Sequence, residues 1–231
     1  MPLASRSPAA RDLFDIVGFQ PTTPLPERVY ETLEQSIVDG IRRPDMHLVE
    51  DDLARRPGVS RNPVWQALQR LAHEGFLQRQ PRPGAFVHPP SVQEIDDIFH
   101  VRILLESDCA RLAAERITDS ELQNLSRILE LGKAAVEKED AGQLLELNDQ
   151  FHGVIILAAN NPIMERLMIS LRRRIRWYFS SVVVTRATGS WEQHEEIYRA
   201  LSARDGDKCA SLMAEHVGQT LEKIQGQRQP A

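Results

Sequence analysis

The side chains best equipped for chemistry in this chain are histidines in its second half. His152 lies in "LNDQFHGVI", His194 in "WEQHEEIYRAL" and His216 in "MAEHV", three segments predicted to be separate helices. Asn148 precedes His152 by four residues, so both side chains leave one helical face about a turn apart. Imidazoles that meet inside a helical bundle can hold a divalent metal, with an oxygen ligand and a water or anion completing the shell. Spacing alone does not establish such a site, because scattered histidines are more often surface groups or satisfied core residues. Asp149, three residues before His152, is a fallback oxygen donor should the register differ. Arg102 precedes Glu106 by four, which suits an ordinary intrahelical salt bridge; the competing reading is a carboxylate clamp at a pocket. Three histidines with an open position could also activate water, with Glu195 or Glu196 as general base, and a metal-dependent hydrolase is therefore the rival reading.

A second capable stretch is "GVSRNPVWQALQRL", residues 58–71. Ser60 is placed to cap a helix, Pro63 sits in the first turn where a missing N–H costs nothing, and Val64, Leu68 and Leu71 form the buried stripe. A rotation of about 100° per residue puts Asn62, Trp65, Gln66 and Gln69 on or beside the outward face, with Arg61 at the helix start. Asn and Gln can pair with adenine and Arg with guanine or phosphate, so this face suits the major groove. A solvated polar face is the plainer alternative. Charge argues for DNA: from Arg55 to Arg82 six arginines stand against one acid, Glu74, and Arg79 and Arg82 are placed to reach a neighbouring phosphate backbone. Trp65 has two open roles, stacking or a thymine methyl contact in the groove, and packing against a neighbouring helix or a dimer partner.

The elements that must position these groups divide the chain. Residues 1–24 hold four prolines with little periodicity and are expected to form a flexible N-terminal extension. Val29, Leu33, Ile37 and Ile41 make the stripe of a helix over 27–41 that ends near Gly40 and Pro44. A short helix is expected around 50–56, then the helix behind Ser60, then two short strands at 77–80 and 85–88 around "PRPG". Residues 25–90 thus form a winged helix-turn-helix. After the breaker "HPPS" at 88–91 strand signals nearly vanish, and residues 91–231 are predicted to be all α. Six helices are expected there, roughly 92–115, 118–138, 140–159, 161–185, 190–204 and 206–226. Thr118 with Glu121 reads as a capping box, "NNP" at 160–162 as a stop and restart, and Gly189 and Gly206 as turns. The fold class is mainly α, a winged helix-turn-helix plus a six-helix antiparallel bundle.

Composition sets the outer limits. The 231 residues are 42% hydrophobic and 26% charged, enough for one large domain or two modest ones. No apolar run approaches a membrane span and the first residues do not form a secretory signal, so no membrane partner is expected and the cytoplasm is the simplest address. Cys109 and Cys209 form no CxxC pair, which fits reduced thiols in core gaps. The net charge of −5 hides an uneven distribution, basic over 55–82 and acidic over 91–231.

"RVYETLEQSIVDGIRRPDMHLVEDDLARRPGVSRNPVWQALQRLAHEGFLQRQPRPGAFV" resembles the DNA-binding domain of GntR-type bacterial transcription regulators. The marks are Leu53, Ala54, Gly58, Val59, Ser60, Arg61, Pro63, Val64, Ala67, Leu68, Leu71, Glu74, Gly75 and Gly84. The resemblance implies a homodimer on a short double-stranded palindrome, with Arg61 on the DNA and the wing around Gly84 at the minor groove or backbone. With it, the expected DNA-facing set is Arg55, Ser60, Arg61, Asn62, Trp65, Gln66, Gln69, Arg82 and Gly84. Trp65 stands where the family usually carries an arginine, Gln66 where it carries a glutamate, and Asp51 where some members carry a DNA-contacting arginine, so an uncommon operator is expected. Over nearly all of 92–226, "VRILLESDCARLAA", "FHGVIILAANNP" and the two later histidine segments resemble the FadR C-terminal ligand-binding domain, the FCD type.

That second resemblance implies that Asn148, His152, His194 and His216 bind a metal and that a small carboxylate effector sits beside it, with Arg102 as the effector-binding candidate. Six helices imply the metal-dependent, organic-acid branch. The expected ion is zinc, with nickel or manganese as alternatives. A neutral Asn148 in place of the commoner aspartate leaves the site more positive and favours an anionic effector. The sequence therefore leads to a non-enzymatic, metabolite-responsive transcriptional regulator, a repressor, whose effector shifts the bundle between two arrangements and changes the spacing of the winged helices in the dimer. An architectural DNA binder with a vestigial pocket is a third reading. No Gly-rich phosphate loop, nucleophile elbow or HExxH segment is present.

Overall fold

The computed structural model describes residues 24–54, 61–79 and 85–228. They fall into two compact units that divide between Pro89 and Pro90. The expected cap Ser60, the candidates Arg55, Arg82 and Gly84, and the N-terminal extension lie outside the described residues.

The first unit contains α1 (Leu25–Val38), β1 (His47–Leu48), α2 (Glu50–Ala54), α3 (Arg61–His73), β2 (Leu77–Arg79) and β3 (Ala85–Val87). Val29, Leu33 and Ile37 of α1 are buried, as are Val64, Leu68 and Leu71 of α3. Ile41 does not continue the α1 stripe. The helix stops at Val38, Gly40 takes a left-handed φ of 70°, and Ile41 beyond it is 56% exposed. Arg70 ties α3 to α1: it reaches Glu27 at 2.6 Å and Glu74 at 3.0 Å, and lies 3.8 Å from the Tyr30 ring centroid. One of the six arginines in the basic stretch is thus neutralised by two acids. The sheet is antiparallel in the order β1-β3-β2. The sequence signalled β2 and β3 but not β1, a two-residue strand whose His47 ring stacks on Phe86 across the sheet.

The second unit is helical throughout its described residues: α4 (Val92–Arg116), α5 (Asp119–Glu137), α6 (Ala141–Ala158), α7 (Pro162–Ser180), α8 (Val183–Ser202) and α9 (Gly206–Arg228). Its helix starts follow the local chemistry. Ser91 caps α4, Thr118 and Glu121 form the reciprocal capping box of α5, Asp140 caps α6, and Asn161 caps α7 just before Pro162. α4 packs most extensively on α9, while α5 lies against α6 and α8. Gly132 of α5 permits that last approach, because a Cβ there would come within 2.3 Å of the Trp191 ring. No helix among the described residues is long and apolar enough to cross a membrane. Cys109 and Cys209 are both buried and unbridged.

One boundary departs from expectation. α7 ends at Ser180 and α8 runs straight through Gly189, which the sequence marked as a turn. The real break, Ser181 and Val182, contains neither Gly nor Pro and so carries no breaker signal. Inside the helix Gly189 leaves room for its neighbour, since a Cβ there would sit 3.3 Å from Arg186 Nη1.

Candidate functional site

Three helices of the bundle bring the histidines together. His152 of α6, His194 of α8 and His216 of α9 are all buried, and one ring nitrogen of each lies within 4.8 Å of the others. His216 Nε2 is 3.2 Å from His194 Nε2 and 3.3 Å from His152 Nε2. Aromatic packing holds the rings: His194 stacks on Phe151 at 4.1 Å and meets the edge of Trp191 at 4.8 Å.

The outer nitrogens explain why the Nε2 atoms face inward. His152 Nδ1 lies 2.6 Å from Glu106 Oε2, and His216 Nδ1 lies 3.1 Å from Gln193 Oε1. The Gln193 atom must be the oxygen, because Arg186 Nη2, which can only donate, bonds the same position. His216 Nδ1 therefore donates to Gln193, and its Nε2 is left as a bare acceptor. A carboxylate at His152 Nδ1 favours the same tautomer there. The Nε2 lone pairs of His152 and His216 face each other at 3.3 Å in the interior, relieved only by Arg102 Nη2 at 3.3 Å from His152, and a cation between them removes the conflict. Nitrogens placed tetrahedrally at about 2.0–2.1 Å from one ion would be roughly 3.3–3.4 Å apart, close to the two separations His216 makes, while His152 and His194, within 4.8 Å of each other, would draw together on an ion. The residues fit a divalent metal.

Electrostatics agree. Burial, then the neighbouring His152 and the Arg102 and Arg186 guanidiniums, pushes His194 well below the ordinary imidazole value. Burial, followed by His194, His152 and the same two arginines, does the same to His216. Both are therefore neutral near pH 7, the form that ligates metal. Burial alone would raise the Glu106 carboxyl, but Arg102 and His152 outweigh it and hold it down to about 2. Glu106 thus stays anionic, with Arg102 Nε at 2.8 Å on one oxygen and His152 on the other. The Arg102 and Glu106 pair is the intrahelical salt bridge of the first sequence reading, and both residues also line a pocket.

That pocket is a cavity of ≈ 240 Å³ between α4, α6 and α7, lined at one end by Arg102, Asn148 and His152 and further along by Ile156, Met168 and Ile169. Asn148 is buried one turn before His152. Asp149, the fallback donor, also borders the cavity but pairs with Arg176 at 2.8 Å and stands outside the histidine cluster. Two of the arginines in the run 172–176 are engaged: Arg174 pairs with Glu94, Arg176 with Asp149, and each is at most one-fifth exposed. The base candidates of the rival hydrolase reading are turned elsewhere. Glu195 pairs with Lys133 at 3.1 Å, Glu196 is exposed, and neither lines the cavity.

Sequence reasoning missed Gln193 and Arg186, and it did not see that Glu106 orients His152. Arg186 and Gln193 lie two turns apart on one face of α8, and Gln193 adjoins His194. That proximity was the available signal.

On the first unit, Asn62 and Gln66 are exposed, Trp65 is 48% exposed and Gln69 is half-buried. Arg61 is largely exposed and lies 3.1 Å from Asp51 on α2. The helix therefore presents Asn62, Gln66, its tryptophan and its leading arginine to solvent, while the amide nitrogen of Gln69 is buried.

Comparison with known proteins agrees with both halves. Residues 25–87 match the family described as bacterial regulatory proteins, gntR family, and residues 97–219 match the FCD domain. The HTH-type transcriptional repressor RspR of Escherichia coli is 30% identical over 212 residues, spanning 90% of this chain and 92% of that protein. The Nta operon transcriptional regulator of Aminobacter aminovorans is 32% identical over 182 residues, 79% of this chain and 86% of its own length. Among solved structures, E. coli McbR/YncC superposes with a TM-score of 0.77 at 26% identity, covering 90% of this chain and all of that one.

Proposed function

The chain belongs to the gntR family of bacterial regulatory proteins, with an FCD domain behind its DNA-binding region, and is a transcriptional regulator; from that premise we propose that it is a repressor controlled by a small carboxylate bound at a divalent metal centre. The observation that carries this reading is the convergence of three buried imidazoles, two of them oriented from behind by Glu106 and Gln193.

His152, His194 and His216 hold the ion, with Asn148 as the oxygen donor. Zinc is the expected metal, with nickel or manganese as alternatives. When bound, it supplies a Lewis-acidic anchor for a carboxylate oxygen.

This chain's residues make that anchor selective for anions. Arg102 Nη2 lies 3.3 Å from His152 Nε2, so a ligating Nε2 can no longer accept from it. The freed donor hydrogen needs an acceptor, and a carboxylate in the adjoining cavity provides one. A divalent ion beside the Arg102 guanidinium, with Glu106 as the nearby anion and a neutral Asn148, leaves positive charge for an incoming acid to balance.

At the other end of the chain Arg61, Asn62, Trp65, Gln66 and Gln69 read the major groove. Arg55, Ser60, Arg82 and Gly84 complete the contacts to backbone and wing, in a homodimer on a palindromic operator in the bacterial cytoplasm. Acid binding and DNA binding are coupled, and such couplings typically amount to about 5–150-fold in affinity.

The test is DNA affinity of the zinc-loaded chain, measured on sequences it selects from a random pool, with and without a panel of small carboxylic acids. At least one acid is expected to weaken DNA binding fivefold or more, and only when the ion is present. DNA binding indifferent to both ion and acid would overturn the reading and leave an architectural DNA binder.

A further inference from the structure

We infer that the effector is a monocarboxylate with a short hydrocarbon tail, and that the cavity discriminates against dicarboxylates and polyhydroxy acids of the same length. This inference rests on the proposed acid-binding role of the site and names the class of acid.

The cavity is graded from one end to the other. Along α6, Asn148, His152 and Ile156 follow one another at four-residue steps on a single face, so the wall passes from ligand to aliphatic over about 12 Å. Arg102 joins the polar end from α4. Helix α7 runs antiparallel to α6, since the two are joined through residues 159–161 and Asp149 meets Arg176. Met168 and Ile169 of α7 therefore lie toward the Ile156 end, with Leu157 and Ile169 more than half exposed at the mouth. Gly153 borders that space, and a Cβ there would meet nothing within 4 Å.

Each end makes a distinct demand. A carboxylate at the Arg102 end leaves its own tail beside Ile156, Met168 and Ile169, an aliphatic stretch where a hydroxyl would lose water with no partner short of Glu165, while Arg172, the other cation of the lining, lies 3.7 Å from Asp149. Glu165 also lines the cavity, one turn into α7 and so at the end away from Asn148. Its carboxylate would repel a second carboxylate arriving there. The cavity of ≈ 240 Å³ has room for something on the order of eight water-sized groups, which matches a six-carbon acid.

A matched six-carbon series tests this: hexanoate, adipate and gluconate, titrated calorimetrically into the zinc-loaded full chain, with butyrate as the shorter homologue. Hexanoate is expected to bind at least tenfold tighter than adipate or gluconate. It should exceed butyrate on the order of tenfold, as two buried methylenes imply. Glu165→Gln is expected to narrow the gap between hexanoate and adipate severalfold, whereas a wall of purely steric character would leave the ratio where it is. Adipate or gluconate binding as tightly as hexanoate overturns the inference while the acid-binding reading stands. If none of the four binds the zinc-loaded chain at millimolar concentration, and no other carboxylic acid in a wider panel does, the reading beneath it falls as well.

Discussion

Gln193 Oε1 accepts from His216 Nδ1 at 3.1 Å and from Arg186 at the same time, so Arg186, which meets His216 itself at the backbone carbonyl, at 3.2 Å, fixes which ring nitrogen of His216 carries the proton. The expectation is direct. Gln193→Leu removes the acceptor and should weaken zinc affinity about 10–100-fold in competition with a chromophoric chelator, whereas Gln193→Glu, which keeps an acceptor oxygen, should retain most of it. Equal affinities for Leu and Glu variants would show that Gln193 does not orient the imidazole.

Gly132 and Trp191 give a second test. The Trp191 ring fills the space a Cβ at 132 would need and also bears edge-on upon His194. Gly132→Ala should gain a little helix propensity yet lose about 1–3 kcal/mol to overpacking, seen as a lower unfolding midpoint in denaturant, together with weaker zinc binding. A stabilised variant with unchanged zinc affinity would contradict this account of the contact.

Acidity follows from the buried groups. His194 and His216 have folded pKa values well below the ordinary 6.5, so the unfolded chain takes up protons that the folded chain refuses. Metal-free protein should therefore keep full stability above about pH 6.5 and lose it progressively as pH falls through that value. Glu106, held at about 2 against 4.5, adds a second loss between those two values. Denaturant unfolding across pH checks this, and His194→Gln with His216→Gln should flatten the slope between pH 6.5 and 5. An unchanged slope in the double variant would place the titration elsewhere.

The DNA-facing helix carries its own expectations. Arg61 is paired with Asp51 across two exposed side chains, an interaction worth at most about 1 kcal/mol. Asp51→Asn should therefore tighten DNA binding by a few fold and steepen its salt dependence. Trp65→Arg should change the sequence recovered in a binding selection, because an arginine can read guanine where an indole offers a single N–H donor. Recovery of the same sequence by both proteins would assign Trp65 to packing.

How far these features could be read from the sequence depends on the range of the interaction behind each. Thr118 with Glu121 and Asn161 with Pro162 announce their helix starts because capping is settled within a few residues. The α7 to α8 boundary is silent because Ser181 and Val182 turn the chain through ordinary backbone angles, while Gly189 sits mid-helix for the sake of Arg186. His152, His194 and His216 stood out as residue types, and the family resemblance joined them into one set. The groups that orient them were hidden, since Gln193 meets His216 across 23 residues and Glu106 meets His152 only once α4 packs on α6. Arg70 was misjudged for the same reason: its partner Glu27 belongs to another helix.

The most direct measurement is the zinc content of the purified chain after dialysis against a weak chelator, counted by elemental mass spectrometry beside His194→Ala. About one ion per wild-type chain and none in the variant is the predicted result. A wild-type chain that retains no ion after exposure to zinc, nickel or manganese, or a variant that retains as much as the wild type, would contradict the metal centre on which the account depends.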